Sequence, residues 1–220
     1  MFNAEEIVRL NNNWIVLVFI IMLLILVILK RSFGKRLSRT YSMLLTKSYV
    51  QIYYNKDKGK YFATFSFLFF IVQTLAVSLL IYLLIPHLIL KNSVSNLNLY
   101  LLISGIVAAY FILRYFMGFL LATLFQLKEL FFKLSFERSN YLSNIVLWLL
   151  PLLLLSTYVV FLKFTMIKLT AIFFIIMLVF RYVLLLMNNK NLILNNLFYF
   201  ILYICTLEIA PLILILKLTI

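Results

Sequence analysis

The stretch Trp14-Ile-Val-Leu-Val-Phe-Ile-Ile-Met-Leu-Leu-Ile-Leu-Val-Ile-Leu29 carries no charge and runs directly into Lys30 and Arg31. A helix rises 1.5 Å per residue, so a run of this length covers most of a hydrocarbon layer about 30 Å thick. A cleavable signal peptide has its positive charges before the apolar region and a small-residue site after it. Here the charge follows the apolar run, and the reading is a retained membrane helix.

Five further apolar segments follow. With the first, the expected spans are about 14–29, 61–86, 98–124, 144–162, 169–187 and 193–216, all within one integral membrane domain of residues 1–220. Hydrophobic residues make up 66% of the chain and charged residues only 12%, against about 25% charged in a soluble domain. Water is therefore not the main solvent. The expected fold is all-α, a polytopic membrane helical bundle with six transmembrane helices and a cytoplasmic amphipathic helix.

Charge orients the spans. The gaps that share one side hold thirteen basic residues: Lys30, Arg31, Lys35, Arg36, Arg39, Lys47, Lys56, Lys58, Lys60, Lys128, Lys133, Arg138 and Lys190. The opposite side holds five, Arg9, Lys91, Lys163, Lys168 and Lys217. Positive residues stay on the cytoplasmic side of a membrane, so both termini are expected to be periplasmic in a bacterial inner membrane. The formal charge of +14 falls beside apolar spans, where anionic lipid explains it better than nucleic acid.

From Phe33 to Ile52 the pattern becomes periodic. Phe33, Leu37, Tyr41, Leu44, Leu45, Ser48 and Ile52 share one face of a helix, while Lys35, Arg36, Arg39 and Lys47 share the other. The leading reading is a helix on the membrane surface, with its cations toward anionic lipid phosphates or a partner. The alternative is a helix packed on the end of its own bundle. The second cytoplasmic segment, Phe125 to Tyr141, mixes Gln126, Lys128, Glu129, Glu137 and Arg138 with aromatic residues and suits contact with a protein partner or a plain solvated hairpin. Glu129 and Lys133 are four apart in the favourable order, so the third span is expected to run on past the membrane. Ser139, Asn140, Ser143 and Asn144 offer N-cap oxygens before the fourth span. Pro86 marks the end of the second span, and Pro151 and Pro211 are expected to bend the helices that hold them.

Arg114, Arg181 and Glu208 lie inside spans, where an ionised side chain costs about 3 kcal/mol or more unless paired or hydrated. One reading is an ion or proton pathway, or an anionic lipid site at the arginines. The other is an Arg and Glu ion pair that fastens the bundle, with Arg114 either pairing or reaching toward the interface. Gly105 with Ala109, and Gly118 with Ala122, place small residues on opposite sides of the third span and suggest that it is packed on both.

Catalytic chemistry is sparse. The chain has one His, one Cys and one Asp, namely His87, Cys205 and Asp57. His87 and Asp57 are expected on opposite sides of the membrane, so neither a triad, a paired-Asp magnesium site nor a His-rich metal centre is available. No cofactor, metal or disulfide is expected.

Three short runs, Tyr203-Ile-Cys-Thr-Leu-Glu208-Ile-Ala-Pro211, Phe125-Gln-Leu-Lys128 and Ser139-Asn-Tyr141, resemble the uncharacterised inner-membrane proteins of Bacteroidota grouped as domain of unknown function 4271. The resemblance covers the chain from roughly the second span to the end. It implies a bacterial inner membrane and singles out Glu208 and Pro211, without an activity or catalytic residues. The expected function is a non-enzymatic accessory or scaffold subunit of a larger envelope complex, for example protein export or secretion machinery, in contact with other membrane subunits. The alternative is a small ion-coupled transporter using Glu208 with Arg181 or Arg114.

Overall fold

The computed structural model describes residues 13–41, 64–84, 96–124, 126, 128–159 and 163–188. Five helices account for nearly all of them: α1 (Asn13–Tyr41), α2 (Thr64–Leu84), α3 (Asn96–Leu124), α4 (Lys128–Tyr158) and α5 (Lys163–Asn188), with no strand among the described residues. Each contains a stretch long and apolar enough to cross a membrane. The chain is accordingly a multi-pass helical bundle. The sixth expected span at 193–216, with Glu208 and Pro211, lies outside the described residues, as do Lys47 and the rest of the amphipathic segment beyond Tyr41.

The helices are apolar almost all round, as elements in lipid or in a bundle centre should be. Burial decides which are central. Half of the apolar window of α2 and 56% of that of α4 is buried, against 17% for α3 and for α5. Consistently, α2 and α4 each pack against all four other helices. Their shared core is Val72, Ala76 and Leu79 of α2 against Val146, Leu149 and Leu153 of α4, with Met22 of α1, all fully enclosed. Lipid tails are as apolar as these side chains, so the core contributes close packing rather than a hydrophobic drive.

Two aromatic and polar layers mark the ends. At one end Trp14 of α1 packs against Tyr82 of α2 at 5.0 Å and Tyr100 of α3 at 5.1 Å between ring centroids, with Tyr100 buried. At the other, Leu29 and Phe69 enclose Phe65 beneath Phe33 and Arg36. From Phe65 to Tyr82 the helix rises roughly 26 Å, close to the thickness of a hydrocarbon core. We refer to these as the aromatic end and the basic end.

Two local expectations are corrected. First, α3 does not continue through Glu129; it stops at Leu124, Gln126 takes a left-handed φ of 57°, and α4 starts at Lys128. Gln126 N–H donates to the Thr123 carbonyl at 3.4 Å, closing the helix end. The Glu129 and Lys133 spacing therefore belongs to the start of α4. Second, Ser139, Asn140, Ser143 and Asn144 are not caps. They lie in the middle of α4 because the helix begins eleven positions before Ser139. Gly105 and Ala109 are exposed among the described residues, and nothing described lies within 4 Å of a Cβ added at Gly105. Gly118 and Ala122 are buried, so α3 is packed on one side among the described residues. Pro151 lies on the exposed side of α4, and the helix continues through it to Tyr158.

Candidate functional site

Most of the buried polar residues lie in the half of the bundle toward its basic end, while Ser78, Ser156 and Thr170 lie toward the aromatic end. At Phe33 the backbone of α1 leaves helical geometry (φ −135°, ψ 36°), with Ser32 and Gly34 on either side, the composition at which helices commonly kink. The short arm after the kink, 34–41, turns onto the bundle. Thr40 is fully buried and Arg36 is only 7% exposed.

Arg36 was expected to face lipid phosphates, with Lys35. Lys35 is exposed, but Arg36 is not: its guanidinium lies 4.1 Å from the ring centroid of Phe65 on α2 and 5.8 Å from that of Phe136 on α4. A planar, weakly hydrated cation gains most from an aromatic face where water is excluded, up to about 2 kcal/mol. The reversal has a simple cause. The kink rotates the arm relative to the span before it, so the face read as outward by uniform periodicity is turned toward α2 and α4.

Hydrogen bonds tie the same three helices. Asn144 Nδ2 on α4 donates to the Thr40 carbonyl at 2.5 Å, and Thr40 Oγ1 donates back to the Arg36 carbonyl at 2.9 Å. Gln73 Nε2 on α2 donates to Ser143 Oγ at 2.7 Å and to the Ser139 carbonyl at 3.2 Å. Ser143 Oγ and Asn140 Nδ2 donate to carbonyls one turn back in α4, those of Ser139 and Phe136, the usual way a helix interior satisfies such side chains. Glu137 joins this layer; it is 2% exposed. Of the expected partner-contact residues, Gln126, Lys128 and Glu129 are exposed, Arg138 is half-buried and Glu137 is enclosed. The Arg39 side chain lies outside the described set.

A second cationic group joins α3 and α5. Arg114 Nη2 donates to the Tyr182 hydroxyl at 3.4 Å and its guanidinium lies 5.9 Å from the Tyr110 ring. Arg181, 3% exposed, lies 5.6 Å from the ring of the same Tyr182. Two guanidinium groups thus share one phenol. Counted from the two ends of the α4–α5 hairpin, Arg181 stands at about the depth of Asn140, so this group borders the polar layer. The expected pairing of these arginines with Glu208 concerns a residue outside the described set.

Sequence reasoning missed Gln73, Thr40, Asn144 and Tyr182 as contacts. Gln73 had a usable signal, because it is the lone amide in the run Phe65–Leu84 and an amide in lipid needs a partner. Thr40 and Tyr182 had none, since their roles depend on a kink and on a neighbouring helix. Among the described residues no three His, Cys, Asp or Glu side chains come together as metal ligands.

Residues 15–219 match the family model described as Domain of unknown function (DUF4271). The chain belongs to this family. The match begins within the first span, so the DUF4271 domain takes in all five helices as well as the segment beyond them, and it is broader than the expected coverage from the second span onward. No curated protein and no solved structure matches the chain.

Proposed function

We propose that this DUF4271 protein is a non-enzymatic accessory or scaffold subunit of a larger envelope complex, such as protein export or secretion machinery, in a Bacteroidota inner membrane. It crosses the membrane six times with both termini periplasmic, which places the basic end at the cytoplasmic leaflet. The observation that supports this reading is how the polar side chains are used. Gln73, Ser143, Asn144 and Thr40 bond helix to helix, an arrangement suited to holding a bundle in shape. Meanwhile α3 and α5 present long apolar faces outward, including Leu102, Ile106, Leu113, Ile172, Ile175 and Val179, surfaces that suit lipid or other membrane subunits. Purification from the native membrane in mild detergent tests the reading: co-purifying subunits in fixed ratio are expected, and a chain that migrates alone under several mild conditions overturns it.

The second reading, a small ion-coupled transporter, draws on the convergence of Arg114 and Arg181 at Tyr182. It requires Glu208→Gln to abolish transport with folding intact. The accessory reading requires the same change to lower detergent stability and subunit retention instead.

A further inference from the structure

From Asn140 to Val146 every residue of α4 is buried, but beyond that point the helix opens along one narrow stripe. Its exposed residues are Trp148, Pro151, Leu155 and Tyr158, with Trp148 39% and Leu155 53% exposed. At 3.6 residues per turn these four fall within about 80° of the helix circumference, over a length of about 15 Å. That is room for one crossing helix.

Two features distinguish this stripe from the lipid-facing sides of α3 and α5. Tyr158 lies 6.4 Å from Phe19 between ring centroids, toward the aromatic end, which puts Trp148 about 15 Å deeper, near the middle of a core about 30 Å thick. Indole rings favour the membrane boundary, where one part is apolar and the other meets water. An exposed tryptophan at mid-depth is out of place against lipid tails. Second, Pro151 has no N–H, so the Leu147 carbonyl one turn back loses its helical donor, and it does so in the same sector of the helix. The nearest hydroxyls on α4, those of Ser156 and Thr157, donate to the carbonyls of Leu153 and Leu154 at 2.9 Å each. Among the described residues no side chain donates to Leu147. Hydrocarbon has no donor to offer it, and proline is tolerated in a membrane helix where a neighbouring helix supplies one.

We infer that the stripe of Trp148, Pro151 and Leu155 is the docking surface for a transmembrane helix of another subunit, one that carries a Ser or Thr hydroxyl at mid-membrane and donates it to the Leu147 carbonyl. The Trp148 ring is the anchor and Leu155 completes the contact. A second copy of this chain fits less well, because a two-fold axis along the membrane normal would set that carbonyl against its own symmetry mate, acceptor facing acceptor. The inference rests on the accessory reading above and names the surface and chemistry through which it operates.

A photo-crosslinking amino acid at position 155 of the full chain, in native membranes, tests it. The expected product is an adduct with a different protein, mapped by peptide mass spectrometry to a membrane span with a Ser or Thr within one turn of the crosslink. Pro151→Ala returns an N–H to the helix, so it should raise the unfolding temperature of the chain and also weaken retention of that subunit about threefold in mild detergent, the scale of one interhelical hydrogen bond. A merely structural proline would give the first effect without the second. Leu155→Trp, at an exposed position, should block the approach and release the subunit with the chain's own unfolding temperature unchanged. Adducts with lipid alone, within this chain or with a second copy overturn the inference, as does native retention of the subunit in both Pro151→Ala and Leu155→Trp. If subunits still co-purify in fixed ratio under any of those outcomes, the docking stripe fails and the accessory reading stands; if no subunit co-purifies, both fail.

Discussion

Asn144, in the middle of α4, donates its side-chain amide to the main-chain carbonyl of Thr40, in the arm beyond the kink of α1. Two elements 104 residues apart are thereby joined where neither has water to fall back on. Asn144→Ala leaves that carbonyl without its donor. The expected cost is about 1 kcal/mol, within the range of interhelical hydrogen bonds measured in membranes. Urea or SDS unfolding of the detergent-solubilised protein reads the loss. In a Cys205→Ser background, Ser38→Cys should also become more reactive to a soluble maleimide once Asn144 is replaced, because Ser38 sits on the same arm.

Gln73 and Ser143 invite a double-mutant cycle. Gln73→Leu and Ser143→Ala should each destabilise the bundle, and their effects should couple by about 0.5 to 1.5 kcal/mol, since each removes the same 2.7 Å bond. Strict additivity would mean that the contact holds no energy of its own.

Phe65 beneath Arg36 is expected to matter through its ring. Phe65→Leu keeps most of the volume and loses the aromatic face, at about 1 to 2 kcal/mol. Arg36→Met, which is neutral and similarly long, should offset part of that loss in the double variant, because the cation then no longer needs the ring. Arg36→Met in the native background separates packing from charge.

Gln126 holds a left-handed φ that suits glycine. Gln126→Gly is expected to stabilise the α3–α4 turn by about 1 kcal/mol, raising the unfolding temperature without altering lipid or partner retention. A fall in stability would show that the Gln126 side chain contributes more than the turn.

The span positions were legible because an uncharged run of some twenty residues has few other solutions. Thr64–Leu84 and Leu97–Leu124 fall close to two expected spans, and Trp14–Ser38 starts with a third and runs on past its expected end at Leu29. The helix that carries the fourth expected span starts well before it, since Lys128, Glu129, Lys133, Glu137 and Arg138 look like loop and in fact open α4. A hydropathy reading cannot see that a helix carries charges beyond the lipid boundary or turns them against neighbours. Arg36 shows the same limit: periodicity assigned it to the outward face, and a single non-helical residue at Phe33 turned it inward. Arg114 and Arg181 were recognisable as costly residues, but the reach of Arg114 from α3 to Tyr182 on α5 depends on how the helices are placed, which no local pattern encodes.

The lattice linking α1, α2 and α4 also sets an order of assembly. During synthesis the ribosome releases Thr40 and Gln73 long before Ser143 and Asn144 exist, so the early helices enter the bilayer with their polar groups unmatched by native mates. A nascent chain interrupted before α4 would present that unmatched amide to the insertion and quality-control apparatus, which makes the arrival of α4 the step that converts separate insertions into one body.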